Sequence, residues 1–97
     1  MTTVRIPTPL RSFTGGAGEV SVEAATVRDA LEQLGRGHDG ILDRVLDEQG
    51  RVRPFVNVFV GDRDVRQLDG LDTPVATGDV LSIIPAVAGG LSKTEEV

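Results

Sequence analysis

Residues 80–84, Val-Leu-Ser-Ile-Ile, form an apolar, β-branched run that fits a strand buried on at least one face. Pro85 has no N–H to give to a sheet ladder, so pairing is expected to stop there. Ala86, Val87 and Ala88 are small, and Gly89 and Gly90 lack a Cβ and adopt any backbone angle. Residues 91–97 are polar and charged and are expected to lie outside the folded unit. A Gly-Gly pair after a buried strand reads in two ways. It is a frayed end, or it carries a carboxyl on Gly90 slim enough to pass down a narrow channel into another protein's active site.

The sequence before this run predicts what the strand packs against. Residues 2–7 alternate, with Val4 and Ile6 on one face, and Pro7 and Pro9 end that strand. Leu10 and Phe13 pack where the chain turns. A Gly-rich loop over residues 14–18 leads to a second strand over residues 19–23 with Val20 and Val22 inward, giving an antiparallel hairpin. Thr26 reads as a helix N-cap with Asp29 three residues on. Val27, Ala30, Leu31 and Leu34 make one apolar stripe, and Gly35 and Gly37 are expected to end the helix. Ile41, Leu42, Val45 and Leu46 predict a short second helix. Residues 52–60 predict the longest strand, with Val56, Val58 and Val60 on one face and Phe55 and Phe59 on the other. Gly61-Asp62 is a turn into a brief strand over residues 64–66. Residues 68–75 are irregular, and Thr77-Gly78-Asp79 is the turn before the last strand.

The order is strand, strand, helix, short helix, strand, strand, strand. This is an α+β fold, a mixed sheet of about five strands with one main helix across one face. If the last strand lies beside the first, both are central and parallel, which is the ubiquitin-like β-grasp arrangement.

Several functions are made improbable by composition. A net charge of −5 argues against a nucleic-acid partner, and three aromatic residues, all Phe, offer no base-stacking platform. No apolar stretch approaches a membrane span and the first residues lack a signal-peptide core, so the cytoplasm is the expected compartment. With no cysteine, disulfides, thiolate metal sites and cysteine nucleophiles are excluded within this chain. Nine of the ten basic residues are Arg, and the one Lys is Lys93, beyond the Gly pair. A form ending at Gly90 has no lysine at all.

Other candidate sites are weaker. Residues 35–40 match G-x-G-x-x-G by letter, but a helix precedes the match where the dinucleotide fingerprint needs a strand. His38 stands alone in a polar loop, with no residues to complete a metal or acid–base site. Asp62, Asp64, Asp69 and Asp72 do not have calcium-loop spacing and read as a solvated acidic face. Phe55 and Phe59 form a docking patch if they are exposed, or are covered by residues 68–75.

Residues 77–90 contain a Gly-Asp turn, a strand ending in Ile83-Ile84-Pro85, then Ala86-Val87-Ala88 and Gly89-Gly90. This stretch resembles the ending of the ubiquitin-like sulfur carriers of the MoaD/ThiS type, and Gly61-Asp62 with Val65 fits the hairpin before it. The resemblance covers residues 2–90. It implies a sulfur carrier that is a cosubstrate rather than an enzyme, with residues 1–88 as a β-grasp domain with a flexible end and residues 89–90 as the reactive pair. It also implies that an E1-like enzyme adenylates the Gly90 carboxyl with ATP and magnesium, which this chain does not itself bind. A sulfur donor then converts Gly90 to a thiocarboxylate for a sulfur-accepting synthase, with biosynthesis of cysteine or a related metabolite as the favoured pathway. Val87, Ala88 and Gly89 would thread the tail, and Phe55, Phe59, Ile84 and Pro85 would dock partners. Because Leu91 follows Gly90, residues 91–97 are expected to be a native tail removed by a JAMM-type zinc metallopeptidase between Gly90 and Leu91, or else a remnant foreign to the protein. A protein modifier forming isopeptide bonds through Gly90, a small subunit of a molybdopterin synthase, and a β-grasp interaction module with an inert tail stay open.

Overall fold

Residues 1–85 are described by a computed structural model of the chain; the expectations for residues 86–97 lie outside the described residues. Five strands form one mixed sheet in the order β2-β1-β5-β3-β4. β1 (Thr2–Arg5) and β2 (Glu19–Val22) make the expected antiparallel hairpin. β5 (Val80–Pro85) runs parallel to β1 and antiparallel to β3 (Val56–Val60), and β4 (Arg63–Asp64) closes the far edge. The first and last strands are therefore the central, parallel pair of a ubiquitin-like β-grasp. The register aligns Val4 with Leu81 and Ile83 with Val58, and all four are buried. One alternation thus sets the inner face across three strands.

The parallel pairing of β1 and β5 needs a crossover, which α1 (Val27–Gly37) supplies across the inner face. The Thr26 hydroxyl accepts the Asp29 N–H at 3.2 Å, and the Asp29 carboxylate accepts the Ala25 N–H at 3.4 Å. These bonds satisfy two backbone donors at the start of the helix. Val27, Ala30, Leu31 and Leu34 are fully buried, as their spacing predicts. Each of the larger three contributes about 1.5–3 kcal/mol by leaving water. α2 (Leu42–Val45) packs beside α1, with Ile41 and Val45 in the core.

Three local readings are corrected. First, β3 begins at Val56, not at residue 52. Pro54 cannot donate to a ladder, and its neighbours turn towards α2: Val52 bridges Leu46, the Arg53 N–H donates to Val45 O, and the Val56 N–H donates to Arg53 O. The connection is closed by Asp47, whose carboxylate accepts the N–H groups of Gln49 and Arg51 at 2.9 and 3.0 Å. The Arg51 N–H, the largest influence, holds that carboxyl below its ordinary pKa. Second, β4 is Arg63–Asp64 rather than residues 64–66, because the Asp64 carboxylate accepts the Arg66 N–H at 2.8 Å and starts a 3-10 turn, Val65–Gln67. The turn after β1 is also 3-10, over Thr8–Thr14. Third, Gly35 does not end α1, which continues to Gly37.

Gly35 has a packing role instead. A Cβ at this position would stand 2.5 Å from Leu42 Cδ1 and 2.7 Å from its Cγ. Helix propensity favours Ala over Gly by about 1 kcal/mol, whereas overpacking costs about 1–3 kcal/mol. Gly35→Ala is therefore expected to lower stability by about 1 kcal/mol net. In a Leu42→Ala background the same change should become neutral or stabilising. A double-mutant cycle by urea denaturation measures this coupling, and additive effects would mean the helices do not meet at Gly35.

Candidate functional site at the end of the last strand

The chain is aimed by the turn before β5. The Ala76 N–H donates to the Asp79 carboxylate at 2.8 Å, and the Asp79 N–H donates back to Ala76 O at 3.0 Å. Gly78 takes φ of +92°, which only a residue without a Cβ adopts freely. The Thr3 N–H donates to Asp79 O at 3.0 Å, fixing the start of β5 against β1. The Gly-Asp dipeptide thus sets the register of the strand that carries the Gly-Gly pair. β5 then runs for six residues through the centre of the sheet and ends at Pro85, paired with Val56.

Alternation places Ser82 and Ile84 on the outer face, away from α1. Ile84 is 46% exposed, next to the buried Ile83. It pairs with Asn57, while Phe59 pairs with Ser82, so Phe59 and Ile84 are diagonal neighbours. Phe59 is half-buried and Pro85 is half-buried at the strand end. Phe55 is 60% exposed in the turn that precedes Val56. These four expected docking residues lie on β3, β5 and the turn that faces the end of β5. Phe55 is not covered by residues 68–75. Val87, Ala88, Gly89, Gly90 and Leu91 lie outside the described residues.

Two arginines at this end were not singled out from the sequence. The Arg66 guanidinium donates to Asn57 Oδ1, Arg53 O and Val56 O, each at 2.8 Å. It continues the edge of β3 beyond the end of β4 and holds the Phe55 turn. Arg11 Nε donates to Ile6 O at 3.1 Å, and the guanidinium passes so close to Gly18 that a Cβ there would meet it at 3.2 Å. Arg11 lines a shallow groove of about 630 Å³ with Arg5, Pro7, Ile84 and Pro85. Arg5 also lies 3.9 Å from Glu19, with both side chains exposed. The groove therefore opens beside the end of β5 with two guanidinium groups and one carboxylate. Only tertiary contacts distinguish Arg11 and Arg66 from the other arginines.

The remaining candidates do not converge on chemistry. The G-x-G-x-x-G match spans the last turn of α1 and the loop leading to α2, and His38 lies just past the helix. Among the described residues no group of three His, Cys, Asp or Glu side chains could hold a metal, and no helix is long and apolar enough to cross a membrane.

Comparison with known proteins bears on this strand end directly. The ThiS family matches residues 4–90 and so ends on Gly90. The chain is 44% identical to the sulfur carrier protein CysO of Mycobacterium tuberculosis over 90 residues, 91% of this chain and 97% of that protein. It is 46% identical over 66 residues to small archaeal modifier protein 3 of Haloferax volcanii, 68% of this chain and 71% of the relative. In structure it is similar to a chain of the Amycolatopsis orientalis BexX/CysO complex. There the TM-score is 0.87 at 44% identity, covering 93% of this chain and all of that one.

Proposed function

The chain belongs to the ThiS family of ubiquitin-like sulfur carriers, and on that premise we propose that it carries sulfur as a thiocarboxylate on Gly90 and donates it in the biosynthesis of cysteine or a related metabolite. The observation that carries this reading is where the family match ends, on Gly90, five residues past the end of β5. Five residues extend at most about 18 Å, enough to present a carboxyl deep inside a partner while the folded domain stays outside.

Leu91 follows Gly90, so in this sequence the Gly90 carbonyl belongs to a peptide bond. A JAMM-type metallopeptidase hydrolyses that bond, its own zinc activating the water, and frees the Gly90 carboxylate. Residues 91–97 are thus a removable tail, residues 89–90 the reactive pair, and residues 1–88 the domain that partners recognise. An E1-like enzyme brings ATP and magnesium. A carboxylate oxygen attacks the α-phosphorus, pyrophosphate leaves, and Gly90 becomes an acyl adenylate. Hydrosulfide, the sulfur donor at the sulfide level, attacks the acyl carbon, AMP leaves with the bridging oxygen, and the S–H proton passes to solvent. The thiocarboxylate is anionic at neutral pH and needs no neighbouring base to be nucleophilic, unlike a typical cysteine. A separate synthase holds the acceptor, so this chain is a cosubstrate and not an enzyme. Val87, Ala88 and Gly89 thread the channel. Phe55, Phe59, Ile84 and Pro85 seat the domain at its mouth, supported by the exposure of Phe55 and Ile84.

The test is the intact mass of the protein from its native cell. We expect a chain ending at Gly90, with part of the population heavier by the exchange of one oxygen for sulfur. A uniform chain running through Val97 would overturn the proposal. The likeness to a relative described as a modifier favours a second reading, isopeptide transfer of Gly90 to other proteins. That reading requires hydroxylamine-resistant adducts on lysines of cell proteins.

A further inference from the structure

β2 is an edge of the sheet, and among the described residues no strand lies beside its outer side. The Ile6 N–H donates to Gly18 O at 2.8 Å, in register with the Val4–Val20 and Thr2–Val22 pairs. Antiparallel hydrogen-bonded pairs alternate, so the N–H and C=O groups of Glu19, Ser21 and Glu23 point away from β1. Among the described residues none of these groups has a backbone partner outside the hairpin. The open stretch ends at Ala25, whose carbonyl accepts the Val75 N–H at 3.0 Å. An unpaired row of this kind is a template for another strand unless charge or cover blocks it.

Charge selects what can pair there. Glu19, Ser21 and Glu23 share the outer face and are exposed. A second copy of β2 pairing antiparallel about Ser21 would set Glu19 against Glu23 twice, which like-charge repulsion disfavours. Past Glu23 the edge runs into a cleft of about 410 Å³ beside α1, lined by Glu23, Asp29, Glu32 and one cation, Arg36. At the other end of the edge Arg5 lies 3.9 Å from Glu19 and the Arg11 guanidinium packs against Gly18. Val20 and Val22 face inward, where Val20 is half-buried and can take an apolar neighbour.

We propose that the free edge of β2 binds an extended basic segment of a partner protein by strand addition, with Lys or Arg opposite Glu19 and Glu23 and a β-branched residue beside Val20. The site lies across β1 from β5, so the segment binds without covering Phe59 on β3. It offers a tether to a partner that also handles Gly90, and it does not depend on which chemistry Gly90 carries.

The experiment titrates the isotope-labelled full chain with the peptide acetyl-Lys-Val-Lys-Val-Lys-amide and follows backbone amides by NMR. We expect the Glu19, Ser21 and Glu23 amides to shift and their hydrogen exchange to slow about tenfold at saturation. A Glu-for-Lys peptide should bind at least about tenfold more weakly, and so should the same peptide methylated on the backbone nitrogens of its three lysines, which keeps the charge but not the donors that face Glu19, Ser21 and Glu23. Ser21→Pro removes an edge N–H where proline is tolerated, and it should abolish the slowing. A double variant, Glu19→Lys with Glu23→Lys, should invert the preference towards the acidic peptide. Equal binding of the N-methylated peptide, shifts confined to residues 80–85, or self-association through β2 in place of peptide binding would each overturn the proposal.

Discussion

Ile83→Asp is expected to unfold the domain. Ile83 is 2% exposed, sits in the central strand and pairs with the fully buried Val58. Losing the side chain forfeits about 1.5–3 kcal/mol of burial. A carboxylate at that place stands in the apolar core cluster, so it pays desolvation or takes up a proton, and the total reaches roughly 4–5 kcal/mol or more. A domain of this length holds about 5–15 kcal/mol in all and lies near the lower end. The raised pKa of a buried Asp makes the loss largest at neutral pH and smaller as pH falls. Thermal and urea melts read the effect. Ile84→Asp is the internal control: one residue on, 46% exposed and on the opposite face, it should change stability by no more than about 0.5 kcal/mol. It should still weaken docking of any partner that uses the outer face. An unchanged melt for Ile83→Asp would invert the two faces of β5 and, through the register, those of β1 and β3.

β5 was legible as a buried strand because its signal is local, an apolar β-branched run that Pro85 ends. Which of Ile83 and Ile84 faces inward is settled by the register against Val58 and Asn57. A local signal also marks α1, where the Thr26 cap and four apolar positions determine both the start of the helix and its buried side. The central parallel pair followed from these and the order of elements. What was not legible depends on distant partners. Residues 52–60 alternate well enough for one long strand, but Leu46 and Val45 claim Val52 and Arg53 for another connection. Gly35 reads as a helix stop until Leu42 is seen against it. Arg66 is one arginine of nine in the sequence and becomes particular only when three acceptors from the Phe55 turn and β3 meet its guanidinium. The proposed site is a different case. Its chemistry rests on a carboxyl and a slim approach, which are properties of covalent sequence, so the Gly-Gly motif carries it without any fold around it.

For that reason the largest functional effect is expected from the smallest structural change. Gly90→Leu, in a chain ending at residue 90, should reduce thiocarboxylate formation by at least about 100-fold, the cost of displacing a reacting group by about 1 Å. The melting curve should stay where it is, because Gly90 is five residues beyond Pro85 and outside the core of residues 4–83. Leucine adds a branched side chain on the atom bonded to the reacting carbonyl and narrows its backbone freedom. On the proposed mechanism its carboxylate would still have to reach the α-phosphorus in line with departing pyrophosphate, by an approach that glycine fits. Gly90→Ala, with one added carbon, should fall between the two. The reaction is read by intact mass after incubation with the activating enzyme, ATP and a sulfur donor. A deletion of Gly89 and Gly90 separates the hypotheses further. It should abolish activation if the carboxyl is the reactive group, and it should leave every partner contact intact if the domain is only an interaction module. Full thiocarboxylate yield from Gly90→Leu would refute the narrow channel, and the glycines would then need another reason to stand at the end of the family match.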